Sequence, residues 1–266
     1  MLLVQLSDLH VIAPGRQLSG FVDTGRLFAN AVSAILGLQP RPDAVLITGD
    51  LVDAGGADEY AHLRTLLAPL PMPVYVLPGN HDEVGAFRDA FADHGYLPAS
   101  GPLHWVVDTH PVRLIGLDST IAGEGGGCLD EHCLAWLDQT LGTEPKRCTI
   151  VALHHPPFAS GIVHMDRIGL SNSVAFEAVI RRHPQVERVL SGHVHRSIQR
   201  RFGGTIALSC PSTAHQIEFN LHDTHRGGFI METPGFQAHT LTADGSLASH
   251  VIPVGTFSGP HRFHSN

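Results

Sequence analysis

Along the first 200 positions, short apolar runs rich in β-branched residues alternate with longer amphipathic stretches. Residues 2–6, 44–48, 74–77, 114–117, 149–153 and 186–190 are almost continuously hydrophobic and bounded by turn residues, which predicts strands buried on both faces. Helices are predicted between them over 24–38, 57–67, 83–93, 130–141 and 173–182. In the fourth of these, Leu134, Leu137 and Leu141 recur on one face beside Trp136, the stripe of a helix lying on a core. Alternating β and α units argue for a layered α/β architecture with helices outside. Past residue 196 the texture changes to short strand-like runs (197–202, 205–209, 216–219, 228–231, 236–241 and 247–253) broken by Gly, Pro, Asp and His. These read as antiparallel strands completing a sheet, with irregular C-terminal loops.

Five of the apolar runs end in the same kind of chemistry. The first leads into Ser7-Asp8-Leu9-His10, the second into Gly49-Asp50, and the third into Gly79-Asn80-His81-Asp82. The fifth leads into His154-His155 and the sixth into Gly192-His193-Val194-His195. Ligand sites of α/β sheets lie beyond the carboxyl ends of the strands, where parallel strands bring distant residues together. Asp, Asn and His donors without thiolate suit Fe, Mn, Co, Ni or Zn better than an all-oxygen calcium cage. Gly49, Gly79 and Gly192 stand beside candidate ligands, where they permit turns and close backbone approach.

Composition narrows the function classes. With 43% hydrophobic and 16% charged residues, the chain can bury a sizeable core and is no disordered segment. A formal charge of −8 without clustered Lys/Arg makes a nucleic-acid polymer a poor partner. No apolar run reaches membrane-helix length, and the first residues read as a strand rather than a signal peptide. Four cysteines without a C-x-x-C pair read as reduced thiols, and the expectation is a soluble cytoplasmic protein. Histidine is in excess at 20 residues, but only those at the strand ends carry the metal argument.

The ordered set D-x-H, G-D, G-N-H-D, H and G-H-x-H over residues 1–200 resembles the calcineurin-like metallophosphoesterase superfamily. Within it the chain is most similar to the bacterial class III phosphodiesterases, a group of cyclic-AMP phosphodiesterases and glycerophosphodiesterases. Gly20-Phe21-Val22-Asp23, Arg41-Pro42-Asp43-Ala44-Val45, His154-His155-Pro156-Pro157 and Ala214-His215-Gln216 resemble the glycerophosphodiesterase branch. The resemblance implies a four-layer αββα sandwich with a small C-terminal β-rich extension. Residues 1–200 would form the catalytic core, and 201–266 would complete the same domain.

It also implies two metal ions, Fe, Mn, Co or Zn. Asp8, His10 and His195 would hold one, Asn80, His154 and His193 the other, and Asp50 would bridge. His155 would stand behind the ligands. His81 would face substrate with Asp82 orienting it by a hydrogen bond, and Asn80, His81 and His215 would contact substrate. The activity implied is hydrolysis of small phosphodiesters, glycerophosphodiesters or 3′,5′-cyclic nucleotides, by hydroxide generated between the metals. Assembly of copies through the C-terminal region is a further implication.

Two alternatives stay open: a phosphomonoesterase or protein phosphatase of the same superfamily, and a non-catalytic metal-binding module. The first typically carries G-D-x-V-D-R-G and R-G-N-H-E, whose arginines are absent from Gly49–Gly55 and Leu77–Asp82 here. Specificity is expected from residues 11–21, 158–172 and the C-terminal loops, with Arg16, His164, Asp166 and Arg167 as polar candidates.

Overall fold

A computed structural model describes residues 1–224 and 226–263; His264, one of the histidines without expected chemistry, lies outside them. The elements run β1 (Leu2–Leu6), α1 (Thr24–Leu36), β2 (Ala44–Thr48), α2 (Ala57–Leu67), β3 (Val74–Leu77), α3 (Val84–Ala90), β4 (Trp105–Val107) and β5 (Arg113–Gly116). They continue through α4 (Glu131–Thr143), β6 (Thr149–Ala152), α5 (Val163–Asp166), α6 (Ser173–Arg181), β7 (Val186–Ser191), β8 (Ile198–Phe202) and β9 (Thr205–Ser209). β10 (Gln216–Ile217), β11 (Phe229–Ile230), β12 (Gly235–Leu241) and β13 (Leu247–Pro253) close the chain.

Two sheets share the strands. One is five-stranded in the order β13-β12-β1-β2-β3; the other is six-stranded, β4-β5-β6-β7-β9-β8. β1, β2 and β3 are mutually parallel, as are β5, β6 and β7, so the five ligand-bearing ends come from two sheets rather than one. β10 and β11 form a separate hairpin.

Side-chain alternation along these strands builds three apolar layers. Val4, Leu6, Val45, Ile47 and Val76 face helices α1–α3 with Phe28, Leu63 and Phe87. Leu3, Leu46, Leu77, Leu114, Ile150, Leu190 and Leu208 fill the space between the sheets. Ile115, Val151 and Val189 face α4 and α6 with Leu137 and Phe176. That order is the αββα sandwich. The parallel strands β1–β3 and β5–β7 are covered on both faces, which is why their sequences read as almost continuously apolar.

Differences from the predicted boundaries have local causes. The helices expected from residues 83 and 130 each begin one residue later, because Glu83 and Asp130 are the caps. Glu83 accepts from the Gly85 and Ala86 amides, and Asp130 from the Cys133 amide. The three-residue edge strand β4 and the one-turn α5 escaped the pattern because neither is long enough to show a period. Among the described residues no helix is long and apolar enough to cross a membrane. All four cysteines are unpaired.

One polar band crosses the interface between the sheets. Gln5, fully buried on β1, donates from Nε2 to Thr48 Oγ1 at 3.0 Å and to the Ser191 carbonyl at 2.9 Å. His239 on β12 lies 3.2 Å from Gln5 Oε1 and 2.8 Å from Ser249 Oγ. This band lies beneath the end of β1, two residues before Ser7, and ties both sheets to the strand that carries Asp8 and His10.

Candidate metal centre

Beyond β1, β2 and β7 the chain bends sharply. Asp8, His10, Asp50, His193 and His195 all have φ between +45° and +69°, and Ser19 is the only other described non-glycine residue with a positive φ. Left-handed backbone costs a non-glycine residue roughly 1–2 kcal/mol, so five expected ligands share a strain that the rest of the chain avoids. The bends are held by backbone bonds: Asp8 N–H to Gly49 O at 3.0 Å and His10 N–H to Asp50 O at 3.1 Å. Ser212 Oγ donates to Asp8 O at 2.6 Å. Glycine is required for contact rather than for conformation alone. A Cβ on Gly192 would collide with Ser7 Oγ, and one on Gly49 with the His154 ring.

All seven expected ligands converge. His10 Nε2 stands 3.2 Å from His195 Nε2, and His195 Nε2 is 3.5 Å from Asp8 Oδ1. Asn80 Oδ1 lies 3.1 Å from His154 Nε2 and 3.0 Å from His193 Nδ1. Between the two groups, Asp50 Oδ2 is 3.7 Å from His10 Nε2 and 3.4 Å from His154 Nε2. One carboxylate oxygen therefore faces both halves.

The outer ring nitrogens of three of the four histidines are spoken for. His10 Nδ1 pairs with Asp53 Oδ1 at 3.1 Å, His154 Nδ1 donates to Thr48 O at 2.8 Å, and His195 Nδ1 donates to His215 O at 2.9 Å. Such bonds fix a neutral imidazole with its Nε2 lone pair inward. The inward contacts then set lone pair against lone pair, and something electropositive must lie between them. In the bare protein that is a proton. Burial opposes charge on His154, yet the Asp50 carboxylate and Asp8 raise it to about 9. Burial likewise opposes charge on His10, but Asp53, Asp50 and Asp8 outweigh it. Burial lifts Asp8 to about 6, whereas His154 and His10 overcome burial and hold Asp50 well below the carboxylate range. Burial and the charge on His154 keep His193 at about 3.

A cation can replace each proton. Two nitrogens about 2.1 Å from one ion, at roughly tetrahedral angles, stand about 3.4 Å apart, close to the His10–His195 separation. The buried Asp/Asn/His donor set, with a carboxylate oxygen common to both halves, suits a dinuclear metal site.

Several expectations need correcting. Asp82 does not hold His81: it accepts from Gly79 N–H at 2.8 Å, Leu51 N–H at 3.1 Å and Tyr60 O–H at 2.8 Å. It bridges the loops that carry Asp50 and Asn80, and burial with the nearby Asp50 charge raises it to about 6. His81 Nδ1 instead pairs with Asp53 O at 2.7 Å. Asp53, a second-loop residue outside the expected set, thus contacts both His10 and His81; no spacing rule in the sequence marks it. His155 stands behind the cluster as expected, its Nδ1 2.9 Å from Ser119 Oγ and its Nε2 3.2 Å from Gly125 O.

A cavity of about 320 Å³ opens over the cluster. His81 and His215 stand in its wall with Leu18, Met165, Ile168 and Phe229. The expected specificity segments do reach it, through these apolar residues and Ser19 but through none of the polar candidates. Asp166 is occupied by the Ser160 and Gly161 amides, Arg167 by Asp223 O, and Arg16 lines a separate surface hollow. His164 stands outside the lining, packed beside Gly227. Burial and the charge on His10 hold His215 at about 4.

Comparison with known proteins follows the same line. Residues 1–197 match the family model of the calcineurin-like phosphoesterases. A probable glycerophosphodiester phosphodiesterase of Arcobacter nitrofigilis is 34% identical over 266 residues, covering 100% of this chain and 97% of that protein. The 3′,5′-cyclic adenosine monophosphate phosphodiesterase of Pseudomonas aeruginosa is 34% identical over 257 residues, 96% of this chain and 90% of its own. A dimetal phosphatase from Danio rerio shares the fold, with a TM-score of 0.66 at 15% identity over 96% of this chain and 99% of that one. By its motifs, its sandwich and these relatives, the chain belongs to the calcineurin-like phosphoesterase family.

Proposed function

We infer that the protein hydrolyses small phosphodiesters at a dinuclear metal centre. Asp8, His10 and His195 would hold one ion and Asn80, His154 and His193 the other, with Asp50 placed to reach both. Bound there, two such ions supply Lewis acidity to phosphoryl oxygens and acidify water toward neutral pH. Fe, Mn, Co and Zn all accept this donor set.

The chain's own groups do the rest. His81, anchored through Nδ1 to Asp53 O, has Nε2 left to donate, when protonated, to a phosphoryl or leaving oxygen. His215, kept neutral, closes the opposite wall. Leu18, Met165, Ile168 and Phe229 exclude water from an ester arm.

The observation that favours diester over monoester is the cavity's lining, which includes neither Lys nor Arg. Bidentate arginine contacts favour a monoester dianion, and a singly charged diester gains less from them. The relatives named for glycerophosphodiesters and for cyclic AMP point the same way. The test is kcat/KM of metal-reconstituted protein on glycerophosphocholine, cyclic AMP, an aryl diester and an aryl monoester. Diester turnover is expected to lead, and a dominant monoesterase activity would overturn the reading.

A further inference from the structure

An acyclic phosphodiester has two ester arms that leave phosphorus in different directions, whereas a cyclic one folds both into one ring. The His81–His215 cavity is one direction. A second cleft starts on the other side of Asn80. Its near part, about 160 Å³, runs over Gly79–Val84 and under the 120–123 loop. Its outer part, about 350 Å³, shares Val84, Thr120, Ile121 and Ala122 with the near part and ends at His104 and Asp130. Asn80 lines both the near part and the metal cavity, so the second cleft begins beside the metal cluster.

The outer end has fixed polarity. His104 Nδ1 accepts from the Asp118 amide at 3.0 Å, and its ring is stacked on Trp136 at 5.3 Å. A neutral imidazole accepting at Nδ1 carries its proton on Nε2, and burial lowers the His104 pKa, keeping the ring neutral. That Nε2–H has no hydrogen-bond partner among the described residues. Asp130 caps α4 through Oδ1 and lines the same hollow. Asp118 adds a second carboxylate, and neither Lys nor Arg lines either part. Asp118 accepts from the Leu103 amide and from the Thr120 amide and hydroxyl, so both carboxylates are hydrogen-bonded but neither faces a cation. A donor beside them suits hydroxyl or ammonium groups and repels anions.

We propose that this second cleft is the subsite for the second arm of acyclic phosphodiesters, an uncharged or ammonium-bearing hydroxylated alcohol, with His104 as its donor. This rests on the diesterase reading and sharpens it: acyclic diesters use both spaces, cyclic ones only the first.

Ala122, exposed where the two parts of the cleft meet, is the place to block it. Ala122→Trp is expected to lower kcat/KM for glycerophosphocholine about tenfold, carried by KM. Turnover of 3′,5′-cyclic AMP should stay within about twofold, as for a surface substitution. No change on either substrate, or equal loss on both, overturns the subsite. Should that variant not fold, Ile121→Trp places the same bulk one residue earlier.

Calorimetry with an uncleavable phosphonate analogue carrying a glycerol arm reads the subsite without turnover. About tenfold weaker binding by the variant is expected, and equal or no binding by both proteins overturns it. An analogue whose arm ends in carboxylate should bind more weakly than the glycerol one; the reverse order overturns the charge assignment. Metal-loaded wild type that binds the glycerol analogue yet cleaves no diester would defeat the diesterase reading alone.

Discussion

His154 Nε2 faces Asn80 Oδ1 at 3.1 Å while the same ring gives its Nδ1 proton to Thr48 O at 2.8 Å. In the bare protein that contact holds a second proton, with His154 raised to about 9 and His10 also raised. Metal binding must therefore expel protons. Calorimetry at pH 7 in buffers of different ionisation enthalpy should show between one and two protons released per chain as the centre fills. Zero release would contradict the charge accounting of the cluster.

Asn80→Ala removes an oxygen that faces only the His154/His193 half of the cluster. Elemental analysis after dialysis against limiting metal should show occupancy falling from about two ions toward one. Equal retention of both would contradict the assignment.

Tyr60 and Asp82 make a buried 2.8 Å bond, and Asp82 ties the loops of Asp50 and Asn80 together. Tyr60→Phe leaves a buried carboxylate oxygen with one partner fewer, at about 1–2 kcal/mol of unfolding free energy. Urea denaturation with and without metal reads this cost. A larger loss in the metal-loaded protein is expected, since the clamp also sets the distance between ligand loops.

His239 supplies one part of the pH dependence, away from the metal cluster. Burial lowers it from 6.5 to about 3, so it stays neutral in the fold while the unfolded chain protonates near 6.5. The unfolded state then binds more protons as pH falls, and stability present above pH 6.5 is lost progressively toward pH 3, by up to about 1.4 kcal/mol per pH unit. His239→Gln should flatten the stability profile of the metal-free protein between pH 6.5 and 5. An unchanged slope would assign the acid sensitivity elsewhere.

Gly192→Ala tests close approach. Its new methyl would meet Ser7 Oγ and lie 2.8 Å from Asp8 Oδ2. Neither neighbour has room to move, and a loss of more than about 3 kcal/mol is expected. Thermal melting with and without metal measures it.

The strand ends could be read from sequence because each couples two local signals, a doubly buried strand and a polar turn. Asp8, Asp50, Asn80, His154, His193 and His195 announce themselves that way. The Tyr60–Asp82 bond gives no such sign: its partners lie 22 residues apart on different elements, and Tyr60 reads as one more core residue of α2. Asp53 is hidden for the same reason. Polar residues in the 158–172 segment misled because Asp166 satisfies its own loop, while neighbouring Met165 and Ile168 face the cavity. The division into two sheets is equally invisible locally, since a strand covered by helices on one face and a sheet on the other has the same apolar composition as one covered by helices on both.

β1 has a neighbour on each side, β2 from early in the chain and β12 from near its end, with Gln237 paired opposite Gln5. During synthesis at about 5–20 residues per second, β1 therefore waits roughly 10–50 s for its second partner. Through that interval Leu2–Leu6 is an unpaired sheet edge, the kind of surface on which nascent chains associate. A chain ended before residue 235 would carry every candidate ligand but leave that edge of β1 open. Pairing of β12 with β1 therefore removes an exposed sheet edge only after most of the chain has been made.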